Sequence, residues 1–132
     1  MPNSFLVVDD SKLHHQMYRV VFSRGKLAGS TVHYATNGRE GYTLLAAHRD
    51  LTLVFLDLNM PEMNGLEFLE RRRTEKLHLH VPVVLVTTEG TTDDEARGRA
   101  AGAWDYLRKP FKPADLEAVV ERFLKQAKPR SA

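Results

Sequence analysis

Five side chains carry most of the chemical potential of this sequence: Asp9, Asp10, Asp57, Thr87 and Lys109. Each stands at the end of, or just after, a short apolar run. Gathered at one place, they would combine three carboxylates, a hydroxyl and an ammonium group. Carboxylates about 5 Å apart repel by roughly 3 kcal/mol per pair at an effective dielectric near 20, so such a cluster requires cations. Lys109 can neutralise one charge. A hard divalent ion suits the remaining oxygen-only set, and few protein ligands with several waters favour Mg²⁺ over Ca²⁺. A site with Mg²⁺, a lysine and a free carboxylate is shaped to receive a phosphoryl group. The metal and Lys109 would offset charge on its equatorial oxygens while Asp57 attacks as nucleophile and becomes an aspartyl phosphate. Taken singly, each residue has a plainer use, since an acid after a strand often caps a helix and a lysine is often a solvated charge.

The elements that must position these residues are legible from hydropathy. Residues 53–58 are an apolar run ending at Asp57 and Leu58, as in a strand buried on both faces of a parallel sheet. A buried unpaired carboxylate is costly, whereas the carboxyl ends of parallel strands are where α/β folds place ligands; Asp57 therefore reads as a site residue. Pro61 and Asn64-Gly65 give the next stretch turn chemistry. Residues 5–8 form a strand followed by Asp9 and Asp10, then a helix with Leu13, Met17, Val20 and Val21 on its inward face and Ser11 or Asp10 as cap. A strand over 31–35, a turn at Asn37-Gly38 and a helix over 39–48 with Leu44 and Leu45 inward come next. After a polar-faced helix over 66–75, a second buried run at 81–86 ends in Thr87 and Thr88. Thr92 to Glu95 has capping-box spacing, placing a helix start near Asp93. That helix contains Gly98 and otherwise little but Ala and Arg, so it reads as the most loosely held one. A last strand over 104–107 runs into Arg108-Lys109-Pro110, and Pro113 opens a helix with Leu116, Val119, Val120, Phe123 and Leu124 on one face. Five strand-then-helix units predict a parallel sheet with helices on both faces and right-handed crossovers, which brings every strand end to one rim.

The 132 residues suit one domain, divided as 1–127 plus a short polar tail at 128–132. With 19 basic against 17 acidic residues the formal charge is only +2, too weak to argue for nucleic acid. The absence of cysteine excludes disulfides and thiolate metal sites and fits a cytoplasmic location. No secretion signal or membrane span is read.

The motifs V-V-D-D-S at 7–11, D-L-N-M-P-E-M-N-G at 57–65, V-T-T-E at 86–89 and Y-L-R-K-P-F at 106–111 resemble those of the bacterial response-regulator receiver domain, especially single-domain chemotaxis regulators. The resemblance covers about residues 4–126. It implies an α/β, flavodoxin-like (βα)5 three-layer sandwich with sheet order 2-1-3-4-5; that order is the one general knowledge attaches to chemotaxis receivers. It implies that Asp57 accepts a phosphoryl group from a sensor histidine kinase's phosphohistidine. Mg²⁺ would be held by Asp10, Asp57 and the Asn59 carbonyl, with Asp9 acting through water. Lys109 would pair with the phosphoryl oxygens and form a cis bond to Pro110. Thr87 and Tyr106 would be the switch pair, and Asn59 and Glu89 would tune dephosphorylation. Thr88 stands where relatives usually carry a smaller residue, narrowing access. The output would be a face made of the helix near 93–101, the strand 104–107 and the helix 113–126, docking a downstream protein. The chain would be a monomer or weak dimer with no direct DNA binding. It would be a signalling switch rather than an enzyme, catalysing only its own phosphoryl transfer and dephosphorylation.

Weaker signals have plain readings. Arg71 to Arg73 read as a solvated helix face, and His14, His15, His78 and His80 as surface histidines lacking a further ligand. Trp104 and Tyr106, apart from the motif, are packing residues. A rival Mg²⁺-dependent phosphotransferase would want an acid two residues after Asp57, where Asn59 stands. A pseudo-receiver or a piece of a larger regulator is the third reading.

Overall fold

A computed structural model describes residues 3–60, 63–87 and 92–130, with the side chains of 26, 92, 94 and 126–130 left aside. The strands are β1 (Ser4–Val8), β2 (Thr31–Ala35), β3 (Leu53–Asp57), β4 (Val83–Thr87) and β5 (Asp105–Arg108). The helices are α1 (Lys12–Phe22), α2 (Gly38–Ala47), α3 (Gly65–Glu75), α4 (Thr92–Ala100) and α5 (Pro113–Arg130), with one 3-10 turn at Gly25–Leu27. All pairings are parallel and the sheet order is β2-β1-β3-β4-β5. Every residue of β3 and β4 is buried, which explains why their sequences are continuous apolar runs rather than alternating ones.

The core divides into two layers, one on each side of the sheet. Phe5, Val7, Phe55, Val84 and Val86 point toward α1 and α5, while Leu6, Val8, Val54, Leu56 and Leu85 point toward α2 and α3. The alternation follows the strand period of two. Local chemistry starts the helices: Ser11 caps α1, Asn37 caps α2, and Asn64 forms a complete capping box with Glu67 at α3. Asn37 and Asn64, read in sequence as turn residues, are therefore helix N-caps.

Two expected faces turn out differently. In α1 the inward residues are His15, Tyr18, Val21 and Phe22, while Leu13 and Val20 stand 73% and 50% exposed. Tyr18 packs its ring against Phe55 at 5.5 Å and Phe111 at 6.0 Å, and Phe22 stacks on Phe5 at 4.4 Å. Two large aromatics bury more area than Leu13 and Val20 can, and so set the rotation of the helix. In α3, Arg72 is buried instead of solvated; its Nη1 donates to the Val81 carbonyl at 2.6 Å. Arg71 keeps an exposed pair with Glu75 at 3.1 Å. Trp104 precedes β5 rather than belonging to it, and packs on Phe123 in the α1/α5 layer, whereas Tyr106 packs in the opposite layer. Helix α5 remains helical to Arg130, into the stretch read as a tail. The expected roles of Pro61, Thr88 and Glu89 fall outside the described residues, as does the Thr92 side chain.

Candidate functional site

Strand register assembles the rim. Val8 is opposite Leu56, so one step on Asp9 meets Asp57; Asp57 is opposite Val86, one step before Thr87; and Thr87 is opposite Arg108, one step before Lys109. Four of the five candidates therefore converge because four parallel strands end within a residue of one another, and Asp10 follows directly in the turn after β1.

Among the described residues, Asp9, Asp10 and Asp57 form one group able to hold a metal, with ligand oxygens all within 4.8 Å of one another. Asp9 and Asp57 are buried and Asp10 is exposed. Lys109 Nζ lies 3.0 Å from Asp9 Oδ2 and 3.0 Å from Asp57 Oδ2, bridging the two. Its bond to Pro110 is cis. Asp57 Oδ1 accepts the Asn59 backbone N–H at 3.1 Å, so the first turn after β3 folds back over the acid it carries. Gly65 allows that turn to close: a Cβ there would come within 2.8 Å of the Asp57 carbonyl and 2.9 Å of Leu58 Cα. Thr87 is fully buried, and its carbonyl accepts the Lys109 N–H at 2.7 Å, fixing the start of the Lys109 turn.

Burial pushes the Asp57 carboxyl above its ordinary pKa, and the Asp9 charge adds to this. The Lys109 hydrogen bond and charge, and the Asn59 N–H, pull the other way without cancelling burial. Among the described residues one lysine, Lys109, bridges two of the three carboxylates. The donor set is all oxygen, close and under-neutralised, which fits a hard divalent cation such as Mg²⁺.

The histidines after β1 are the part of the site that sequence reading missed. His15 is buried, with Nε2 2.7 Å from the Asp9 carbonyl, and His14 Nδ1 lies 3.1 Å from Asp9 Oδ2. Asp9 Oδ1 accepts the Ser11 N–H at 2.8 Å. Protein groups thus engage both carboxylate oxygens of Asp9 and its carbonyl. The signal was present in the spacing, because the first turn of a helix that starts three residues after an acid folds back toward it. His80 is exposed and His78 half-buried, their Nε2 atoms near the carbonyls of Arg49 and Ala46 respectively. Tyr106 lies away from the carboxylates, under α4, with its hydroxyl donating to the Glu95 carbonyl at 2.7 Å.

The family model for the response regulator receiver domain matches residues 5–121. The chain is 37% identical over 119 residues to a chemotaxis protein CheY homolog of Campylobacter jejuni, covering 90% of each chain. It is 34% identical over 116 residues to chemotaxis protein CheY1 of Helicobacter pylori, covering 88% of this chain and 92% of that one. Among solved structures it is similar to chemotaxis protein CheY4 of Vibrio cholerae, with a TM-score of 0.82 at 32% identity over 93% of this chain and 99% of that one.

Proposed function

The chain belongs to the response regulator receiver family, and from that premise we propose that Asp57 is the phosphoacceptor of a switch read out through α4, β5 and α5. Receivers are signalling switches of two-component systems, phosphorylated on an aspartate, that work with histidine kinases and downstream targets and generally bind Mg²⁺ at an acidic pocket. The observation carrying the assignment to Asp57 is the Lys109 bridge at 3.0 Å inside the three-carboxylate group.

The buried Asp57 carboxylate attacks the phosphorus of a kinase phosphohistidine; the new O–P bond forms as the N–P bond breaks, and the imidazole leaves with the electron pair. Burial raises the basicity of Asp57 and hence its strength as a nucleophile, while Lys109 favours its ionised form. Lys109 stays beside the oxygen that gains charge and costs no reorganisation. Asp10, Asp57 and the Asn59 carbonyl would hold Mg²⁺, with Asp9 acting through water, and the ion would supply further neutralisation of the phosphoryl oxygens. Thr87, at the end of the strand beside Asp57, donates its hydroxyl to the phosphoryl group, and its movement lets Tyr106 pack inward. The face of α4, β5 and α5 then presents a different surface to a partner, a shift between two packings. Asn59 and Glu89 tune the return by hydrolysis. No described helix is long and apolar enough to cross a membrane; a cytoplasmic monomer or weak dimer that does not bind DNA directly completes the reading.

The test is labelling with acetyl phosphate and Mg²⁺, followed by intact-mass measurement. Wild type should gain one phosphoryl group and Asp57→Asn none. Labelling of Asp57→Asn at the wild-type level overturns the assignment.

A further inference from the structure

Gly98 is the one described residue of α4 that is buried, and a glycine weakens a helix interior relative to alanine. Its surroundings supply a reason for it. A Cβ on Gly98 would stand 2.5 Å from Leu85 Cδ1, 3.1 Å from Tyr106 Cζ and nearer still to Tyr106 Oη. Leu85 is fully buried in the central sheet and has little room to withdraw. Tyr106 occupies the space that the missing side chain leaves. Its hydroxyl reaches the Glu95 carbonyl, one turn earlier in the same helix, at 2.7 Å. Two further contacts hold the same patch: Arg99 Cζ lies 5.3 Å from the Tyr106 ring centroid, and the Glu95 carboxylate pairs with Arg108 of β5 at 2.9 Å.

We propose that Gly98 is a positioning residue for the Tyr106 switch. The absent side chain is a seat that lets the ring pack inward on α4, so part of the inward population exists before Asp57 is phosphorylated and the Thr87 movement completes the shift. This rests on the reading of Tyr106 as the residue that follows phosphorylation. It assigns the bias of the switch to a position outside the phosphoryl site, on a helix whose other described residues are exposed or half-buried. Adding one methyl group at Gly98 meets side chains instead of backbone, the end of Tyr106 first and then Leu85 Cδ1 at 2.5 Å; Leu85 is locked in the core, so the tyrosine ring is the group that swings outward. A ligand that binds the inward packing then binds more weakly, in proportion to the lost population.

The experiment uses the full chain, NMR and beryllofluoride with Mg²⁺ as probe. In wild type, nuclear Overhauser effects connect the Tyr106 ring to the amides of Glu95 and Gly98. In Gly98→Ala they should be lost, and the beryllofluoride Kd should rise about ten-fold if the inward population falls to about a tenth. In a Tyr106→Phe background the nearest obstacle is gone and the Leu85 contact remains, so the same alanine substitution should raise Kd by clearly less than in the Tyr106 background, a coupling that independent sites do not show. Retention of the ring contacts in Gly98→Ala, or equal effects of the alanine in the two backgrounds, overturns the proposal. Tyr106→Phe alone leaves α4 untouched and should also weaken binding through loss of the Glu95 bond; an unchanged Kd overturns the proposal even where Gly98→Ala does not fold. A wild-type chain that binds no beryllofluoride would sink the Asp57 reading instead, and the ring contacts would still decide the seat.

Discussion

Replacing Asp57 by Asn should make the metal-free protein more stable. The Lys109 attraction lost is about 5.5 kcal/mol, taking the 3.0 Å separation and an effective dielectric near 20. The repulsion relieved from buried Asp9, at 4.8 Å or less, is at least about 3.5 kcal/mol on the same basis, and exposed Asp10 at solvent dielectric adds about 1 kcal/mol. The Coulomb contributions thus cancel to within about 1 kcal/mol, and the desolvation of a carboxylate, several kcal/mol even after relaxation, decides the sign. The raised pKa of Asp57 has the same cause and the same direction. An Asn side chain keeps an acceptor for Lys109 and avoids the ionic desolvation, so we expect a gain of about 1–3 kcal/mol at pH 7.

Urea denaturation of both proteins without Mg²⁺, repeated across pH, measures it. Below the ordinary carboxylate pKa the aspartate is protonated in both folded and unfolded chains and contributes no pH-dependent difference. As pH rises through the raised folded-state pKa, the unfolded chain ionises first and wild type loses stability that the Asn variant retains. The gap must therefore open with rising pH and be complete above the folded-state pKa. An Asn variant less stable than wild type at pH 7, or a gap that widens on acidification, refutes the electrostatic account of the rim.

Mg²⁺ should stabilise wild type by about 2.7 kcal/mol at a hundred times its Kd, seen as a higher Tm, and Asp10→Asn should lose most of that rise; an unchanged Tm across millimolar Mg²⁺ counts against the acidic group as a metal site. Arg72 is buried with an Nε lacking a hydrogen-bond partner, so Arg72→Met should be neutral or stabilising by about 1 kcal/mol, and a loss above about 2 kcal/mol would show that its single bond to the Val81 carbonyl matters more than the buried charge costs. His33, stacked 4.1 Å from His48, has its pKa lowered first by burial and then by the His48 charge. Stability from this group should fall as pH drops below about 6.5 toward the folded-state value, because the unfolded chain takes up the proton first. Replacing His48 with Gln should move the His33 titration upward by NMR, and an unmoved curve removes His48 as a cause.

The convergence of the rim was legible because it depends on one-dimensional features. Runs buried on both faces are apolar throughout, their ends are marked by the first polar residue, and parallel strands in register bring those ends together. Asp9, Asp57, Thr87 and Lys109 could therefore be named from the sequence, and strand pairing puts them one step apart. The rotation of α1 was not legible in this way. Of the expected face, Val21 is buried and Met17 packs partly on the core, but the rings of Phe5, Phe55 and Phe111, far away in the chain, bring in Tyr18 and Phe22 and leave Leu13 and Val20 exposed.

That rotation also brings His14 and His15 onto Asp9, turning residues that look like surface histidines into supports of the site. The use of Gly98 was equally hidden, since in sequence it is a weak point in a helix and in space it is the gap that Tyr106 fills. The sequence alone determined which strands exist, what they carry at their ends and which chemistry those groups can perform, because burial and strand period act along the chain. The tertiary structure alone decided which helix face turns inward, which cation bridges which acids and what fills the space beside a glycine. Those outcomes depend on contacts between side chains distant in sequence, where packing at fixed volume lets one arrangement exclude the others.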